Sequence, residues 1–310
     1  MFSPDGYRAL TEHVGVVRRG DRGVLAVTGA DRLSWLQGLL TNDVVALPIG
    51  GVCDAAYLTP QGRMITDMRV FNLAGRVLLD VPASLAEPLQ KRLDALLFSE
   101  DAQIADRSGD LSLVEVHGPA APGMVDGMEF FRDDAFGVPG FTAFVPPADV
   151  PAWVGALTGL GALDTNLETL DIVRIEAGRP AFLMDMDEQT IPLEAGLEQR
   201  AISFTKGCYV GQEVIVRVTH RGGGRVARKL VGIRLDKGVL PKGGEPIWSS
   251  AGKEIGRLTS AAWSPRVEVG IALGYVHRDF AEPGTTLNVG RPPAQLSAVV
   301  ASLPFVTRKI

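Results

Sequence analysis

The chain changes texture once, and that change limits the architectures open to it. Downstream of Arg221-Gly222-Gly223-Gly224-Arg225, short apolar runs recur between Gly, Pro and Asp with little helical periodicity. That is the pattern of a small β-barrel or sandwich. Upstream, strand and helix periods alternate, so the two parts call for different architectures. The predicted fold class is α+β: two sheet-and-helix units of ferredoxin-like type over residues 1–225, then a C-terminal β-barrel over 226–310. The triple glycine has neither the Lys-Ser/Thr ending of a phosphate loop nor a strand-bounded GxGxxG, and it reads as a linker.

In the first part, Gly23–Val27 is a short apolar run, and Asp31 precedes Leu33, Leu36 and Leu40 on one helical face, so a strand feeds a helix. The stretches 52–58, 63–72 and 76–81 read as an antiparallel meander turned at Pro60-Gln61-Gly62 and Ala74-Gly75. Period-two alternation in the middle strand puts Met64, Met68 and Val70 on one face. Ile65, Asp67, Arg69 and Phe71 fall on the other, which on pattern alone is a solvated face with a charge pair. Ser84 with Glu87 fits a capping box ahead of the stripe Leu85, Leu89, Leu93, Leu96. The run from Leu113 to Ala120 echoes that from Leu25 to Ala30 in the order strand, Gly, helix start. A further strand is expected over 141–145 and a helix over 165–177, ended by Gly178.

Composition excludes several function classes. A net charge of -5 lacks the basic excess that a phosphate-backbone binder uses, which disfavours direct nucleic-acid binding. The one basic cluster is Arg217, Arg221, Arg225, Arg228 and Lys229. Met1-Phe2-Ser3-Pro4-Asp5-Gly6 has no basic or apolar leader character, and no run approaches the ~18 apolar residues of a membrane span. The expected location is cytoplasmic, with no membrane partner. The two cysteines, Cys53 and Cys208, cannot supply the four thiolates that usually hold an iron-sulfur cluster. His13, His117, His220 and His277 have no zinc-site spacing, so no metal site is expected from one chain.

The most informative stretch is Ile191-Pro192-Leu193-Glu194-Ala195-Gly196-Leu197, followed by Lys206-Gly207-Cys208-Tyr209-Val210-Gly211-Gln212-Glu213 and Arg217. Lys-Gly-Cys-Tyr-x-Gly-Gln-Glu followed by Arg closely resembles the signature of the YgfZ family. The wider superfamily, which includes the glycine-cleavage T-protein, is echoed by Leu40-Thr41-Asn42-Asp43-Val44, the Gly62 to Asp67 hairpin, Pro192 to Leu197 and Gly256-Arg257-Leu258-Thr259-Ser260. The echoes run from about residue 24 to 277 and cover most of the chain. Where the T-protein has Lys-Gly-acidic-Phe-Ile-Gly, this chain has a thiol, Cys208.

The resemblance implies a tetrahydrofolate site. It puts Glu194 at the pterin, where a carboxylate accepts two adjacent N–H donors, although Glu194 also suits a plain helix-start carboxylate. It puts Asp67 near the reactive folate nitrogens with Arg69 tuning it, and it offers Arg217 to the anionic tail, although Arg217 could equally pair with Glu213. Cys208, beside Lys206 and ahead of a helix expected from about Gly211, is either a reactive thiolate or a small buried residue. On the YgfZ branch the function implied is support of iron-sulfur cluster assembly, maintenance or repair, with client enzymes or assembly proteins as partners, tRNA-modifying enzymes among them. The alternative is a folate-dependent aminomethyltransferase of the T-protein type, with a catalytic Asp67. Whether the chain is catalytic stays open at this point.

Overall fold

The computed structural model describes residues 2–124, 128–221, 225–236 and 240–308, so the triple glycine 222–224 lies outside the described residues. The chain opens with α1 (Pro4–Glu12), β1 (Gly15–Arg18), β2 (Arg22–Thr28), α2 (Arg32–Leu39), β3 (Val52–Leu58), β4 (Met64–Leu73) and β5 (Arg76–Pro82). Next come α3 (Ala86–Asp94), β6 (Gln103–Asp106), β7 (Ser112–His117), α4 (Ala121–Met124), β8 (Phe131–Arg132), β9 (Gly140–Val145), α5 (Val150–Gly159), β10 (Leu163–Thr165) and α6 (Leu167–Glu176). A short helix α7 (Gln212–Val216) precedes β11 (Arg228–Leu235), β12 (Pro246–Ser249), β13 (Glu254–Ser264), β14 (Val269–His277), β15 (Thr286–Val289) and β16 (Leu296–Ala301). The fold is α+β, as expected. The chain forms two compact units, Met1–Leu170 with Glu198–Gln212, and Asp171–Leu197 with Glu213–Lys309.

The first unit holds two five-stranded sheets, ordered β3-β4-β5-β2-β6 and β10-β1-β7-β9-β8. Helices α2 and α3 cover one face of the first sheet, where Trp35, Leu36, Leu89 and Leu93 pack on Leu25, Val27, Met68, Val70 and Leu79. The opposite face meets the second sheet. Phe71 packs edge-on against Phe131 and Phe144, with ring centroids 5.7 and 4.8 Å apart. The Asp67/Arg69 face is therefore not solvated as the pattern suggested: alternation marks the faces of a strand, and only tertiary packing decides that both are covered. A register shift between Tyr57 and Leu58 leaves Ile65 without a cross-strand partner and turns it into the helix-side cluster with Met68 and Val70. A β-bulge thus interrupts the expected alternation.

The strand-Gly-helix echo is borne out by the backbone. Gly29 (φ +99°) and Gly118 (φ +129°) each turn the chain from strand to helix. A Cβ there would sit 2.1 Å from the carbonyl oxygen of Asp101 or 2.4 Å from that of His13, so only glycine fits. The capping box at Ser84 does not form. A 3-10 turn over Ala83–Leu85 intervenes, and α3 starts behind Leu85 with no side-chain cap.

In the second unit β11-β14-β13-β12-β15-β16 close into a barrel around Ile233, Leu235, Ile247, Leu258, Val276, Leu287 and Val300. Asp185 ties preceding chain to that barrel. Its Oδ1 accepts from Thr259 and Ser260 hydroxyls at 2.5 and 2.6 Å, and its Oδ2 accepts from Arg174. No described helix is long and apolar enough to cross a membrane.

Candidate functional site

Asp67 and Arg69 lie two residues apart on the same face of β4, and their surroundings are opposite. Arg69 is buried and fully used: its guanidinium donates to Asp80 on β5, to Glu115 on β7 at 2.6 Å, to Asp133, and to the Thr142 hydroxyl on β9 at 3.3 Å. Glu115 also accepts from Arg19 at 2.9 Å and contacts His117 Nε2 at 3.0 Å, while Arg22 holds Asp80 Oδ1 at 2.6 Å. The Arg19 and Arg69 guanidinium groups hold the buried Glu115 carboxyl well below the usual carboxylate range, despite its desolvation. Arg69 is thereby a tie between the two sheets, with no donor left to tune Asp67.

Asp67, by contrast, has a buried Oδ1 that no donor among the described residues reaches. Desolvation is the leading influence on its carboxyl and pushes it above the ordinary value. The charges of Arg22 and Arg200 pull it down, and Asp54 and Asp80 push it up. A buried oxygen without a protein partner costs roughly 1–3 kcal/mol unless an ordered water or a ligand satisfies it.

The Lys206–Glu213 motif folds over the end of α2. Lys206 Nζ donates to the carbonyl oxygens of Gln37, Leu40 and Asn42 at 2.7, 2.7 and 2.9 Å. These carbonyls lie at the C-terminus of α2, which is left without intrahelical donors, so the ammonium caps the helix and its dipole. Burial pushes the Lys206 amine down to about 8. The Lys206 ammonium also sits 5.2 Å from the Tyr209 ring centroid, and Tyr209 N donates to Gln212 Oε1 at 3.3 Å. Gly211 has φ +81°, and a Cβ there would be 2.4 Å from the Thr59 carbonyl oxygen, so the motif needs glycine at this point. Gly207 meets no such limit, since a Cβ there would touch nothing within 4 Å.

Cys208 is exposed, so it is not the small buried residue that one reading allowed. Its neighbour Lys206 is engaged with helix carbonyls. Cys53 is half-buried, and burial pushes its thiol up to about 12.

In the second unit, Glu194 ends a 3-10 turn over Pro192–Glu194 and is buried, 8% exposed. Its Oε2 accepts from Ile191 N at 3.3 Å and from Arg228 Nε at 3.0 Å. The Arg228 guanidinium also lies 4.7 Å from the Tyr275 ring centroid. A two-donor ligand at Glu194 would share that carboxylate with Arg228. Arg217 is exposed and opens a π-helical turn over Arg217–Arg221, with Glu213 also exposed on α7. Helix α7 begins at Gln212, as the resemblance implied, in place of the strand that Val214-Ile215-Val216 would suggest on propensity.

Sequence reasoning passed over Arg200 and Asp54, which converge 3.5 Å apart near Asp67. Asp54 was visible as an acidic residue opposite Arg69 in an expected meander. Arg200 carried no local signal.

Two open sheets followed by a closed six-stranded barrel are the architecture of the T-protein fold: the glycine cleavage system aminomethyltransferase T from Bartonella henselae superposes with a TM-score of 0.90 over 100% of this chain and 92% of that one, at 21% identity. The GCVT N-terminal domain model matches residues 3–158, and that of the glycine cleavage T-protein C-terminal barrel domain matches residues 228–307. This chain belongs to the glycine cleavage T-protein family. Among its relatives, the aminomethyltransferase of Halothermothrix orenii is 26% identical over 330 residues, covering 97% of this chain and 90% of that protein. The aminomethyltransferase of Saccharopolyspora erythraea is 28% identical over 331 residues, covering 97% of this chain and 89% of that protein.

Proposed function

We propose that this chain binds tetrahydrofolate and performs a folate-dependent aminomethyl transfer of the T-protein kind, with Asp67 at the reacting nitrogens. The observation that carries the reading is the buried Asp67 Oδ1, which no donor among the described residues reaches, on a face where the neighbouring Arg69 is fully engaged. That oxygen fits a ligand N–H. The names of the relatives support the activity. Bound tetrahydrofolate supplies nitrogens that take up a one-carbon unit. Burial keeps the Asp67 proton on to a higher pH than in a free aspartate, so the side chain can hand a proton to an adjacent nitrogen or stabilise positive charge there. Glu194 offers the carboxylate for the pterin donors, with Arg228 holding it in place.

A second reading, support of iron-sulfur enzymes, is favoured by one observation: the YgfZ-type motif presents Cys208 as an exposed thiol where T-proteins carry an acid. Calorimetry with tetrahydrofolate tests the common core. Glu194→Gln, which leaves a single acceptor oxygen, and Asp67→Asn should each weaken binding by at least tenfold, about 1.5–3 kcal/mol. Wild-type affinity in both variants removes these residues from a folate site. Transfer from an aminomethyl-loaded lipoyl carrier to tetrahydrofolate, unaffected by Cys208→Ser, selects the first reading. No transfer, together with Cys208-dependent rescue of iron-sulfur enzyme activity in cells lacking the protein, selects the second.

A further inference from the structure

Residues 200–206 are laced to the segment that follows α2. Asn42 Nδ2 donates to the Arg200 carbonyl at 3.0 Å, the Thr41 hydroxyl donates to the Ala201 carbonyl at 2.5 Å, and Ser203 N donates to the Thr41 carbonyl at 3.0 Å. Lys206 completes the lacing through its three carbonyl contacts, one of them to Asn42. The backbone at Arg200 is therefore fixed, and its side chain runs to Asp54, with Nη1 3.5 Å from Oδ2. In the β3/β4 ladder Asp54 pairs with Arg69 and Ala56 with Asp67. Asp54 and Asp67 are thus diagonal neighbours on one face, a spacing of roughly 7–8 Å between such positions.

We propose that Arg200 is a positioning residue for Asp67: with Asp54 it forms a charge pair on the Asp67 face of the β3/β4 ladder that sets whether the Asp67 carboxyl carries its proton. This rests on the reading of Asp67 as the folate-facing acid. Among the described residues, charged side chains act on Asp67 from the elements around it: Arg22 on β2, Asp54 on β3, Asp80 on β5 and Arg200. Arg22 and Asp80 are locked to each other at 2.6 Å, and Asp80 is further held by Arg69. The Arg200–Asp54 pair is looser and more open, with side chains 22% and 25% exposed. It is the pair whose balance a ligand or a substitution can alter. Losing Arg200 removes a positive charge from the surroundings of Asp67 while the Asp54 carboxylate stays, which favours the protonated acid. Losing the Asp54 charge frees the Arg200 cation for Asp67, which favours the carboxylate.

The two substitutions should act in opposite directions, which a purely structural role would not produce. Full-length protein with 13C-labelled aspartate lets the Asp67 carboxyl be followed against pH by NMR, with Asp67→Asn assigning the signal. Arg200→Met should move the midpoint up by about one pH unit, Asp54→Asn should move it down, and Arg200→Lys, which keeps the charge, should stay near wild type. Calorimetry with tetrahydrofolate should show the pH dependence of binding moving with it. Midpoints that stay put, that move together, or that respond alike to Met and Lys at position 200 overturn the assignment, even if the only other change is a lower Tm. The carboxyl titration is read without ligand. A wild-type chain that takes up no tetrahydrofolate therefore defeats the functional reading, while the opposed shifts still decide the role of Arg200.

Discussion

Arg69 and Asp67 share a strand and a face, and the chain treats them in opposite ways. Around Arg69 the fold gathers Asp80, Glu115 and Asp133 from elements far apart in sequence, and the guanidinium reaches all of them. Around Asp67 it leaves a buried oxygen that accepts from no described donor. The first arrangement ties one sheet to the other through buried charge pairs, and removing one member strands the rest. The second gives up stability locally and keeps a polar atom ready for something outside the chain. Burial of a charge therefore says little by itself; whether its partners are present separates scaffold from site.

The comparison breaks most visibly at Arg69. Arg69→Met should cost about 3–5 kcal/mol in urea unfolding, since it strands buried carboxylates without their cation. A loss below about 1 kcal/mol would mean that the network is not the tie described here. Asp67→Asn should move the other way. Because burial raises the folded Asp67 carboxyl above its ordinary 3.8, its ionisation works against folding. The cost is absent below the unfolded value, grows as pH rises through the folded value, and is complete above it. The Asn variant should therefore be about 1 kcal/mol more stable than wild type near neutral pH, with the gain vanishing in acid, while folate binding falls. A variant that is less stable at every pH would place Asp67 with Arg69 among the scaffold residues. The smallest effect belongs to Cys208→Ser: at an exposed site it should change the unfolding free energy by no more than about 0.5 kcal/mol, so any loss of cellular function reports chemistry and not folding.

Much of the scaffold was legible in the sequence. The meander of β3, β4 and β5 was recovered nearly residue for residue, because period-two alternation and Gly-containing turns are local signals. The barrel announced itself through run length and turn spacing. Helix α1 was missed although Ser3-Pro4-Asp5 is a helix start, and the Ser3 hydroxyl does accept from Gly6 N. The covered face of β4 was not legible, since nothing near residue 69 foretells Glu115 or Asp133 arriving from another sheet. Asp67, Glu194 and Cys208 became candidates through motif resemblance alone, whereas Arg200 was invisible because its importance lies entirely in what the 200–206 loop is laced to. The motif lysine was legible only as a cation beside Cys208, and the three carbonyls at the end of α2 give it a structural purpose.

That lacing has a consequence for how the protein behaves in a crowded solution. Both open sheets end in strands that could recruit a strand from another molecule. Three of these are only four, three and two residues long, namely β6, β10 and β8. The fourth, β3, has seven residues and is the one long enough to template aggregation. Three of its backbone groups are already taken by the segment after α2: Thr41 N donates to the Ala56 carbonyl at 3.0 Å, Ala56 N donates to the Thr41 hydroxyl at 2.8 Å, and Asn42 Nδ2 donates to the Asp54 carbonyl at 2.7 Å. Thr41 and Asn42 are the same residues that hold the loop bearing Arg200. A lesion at this junction would thus bare a sticky edge as it released the loop, and its first symptom in a cell would be a precipitate rather than an idle enzyme.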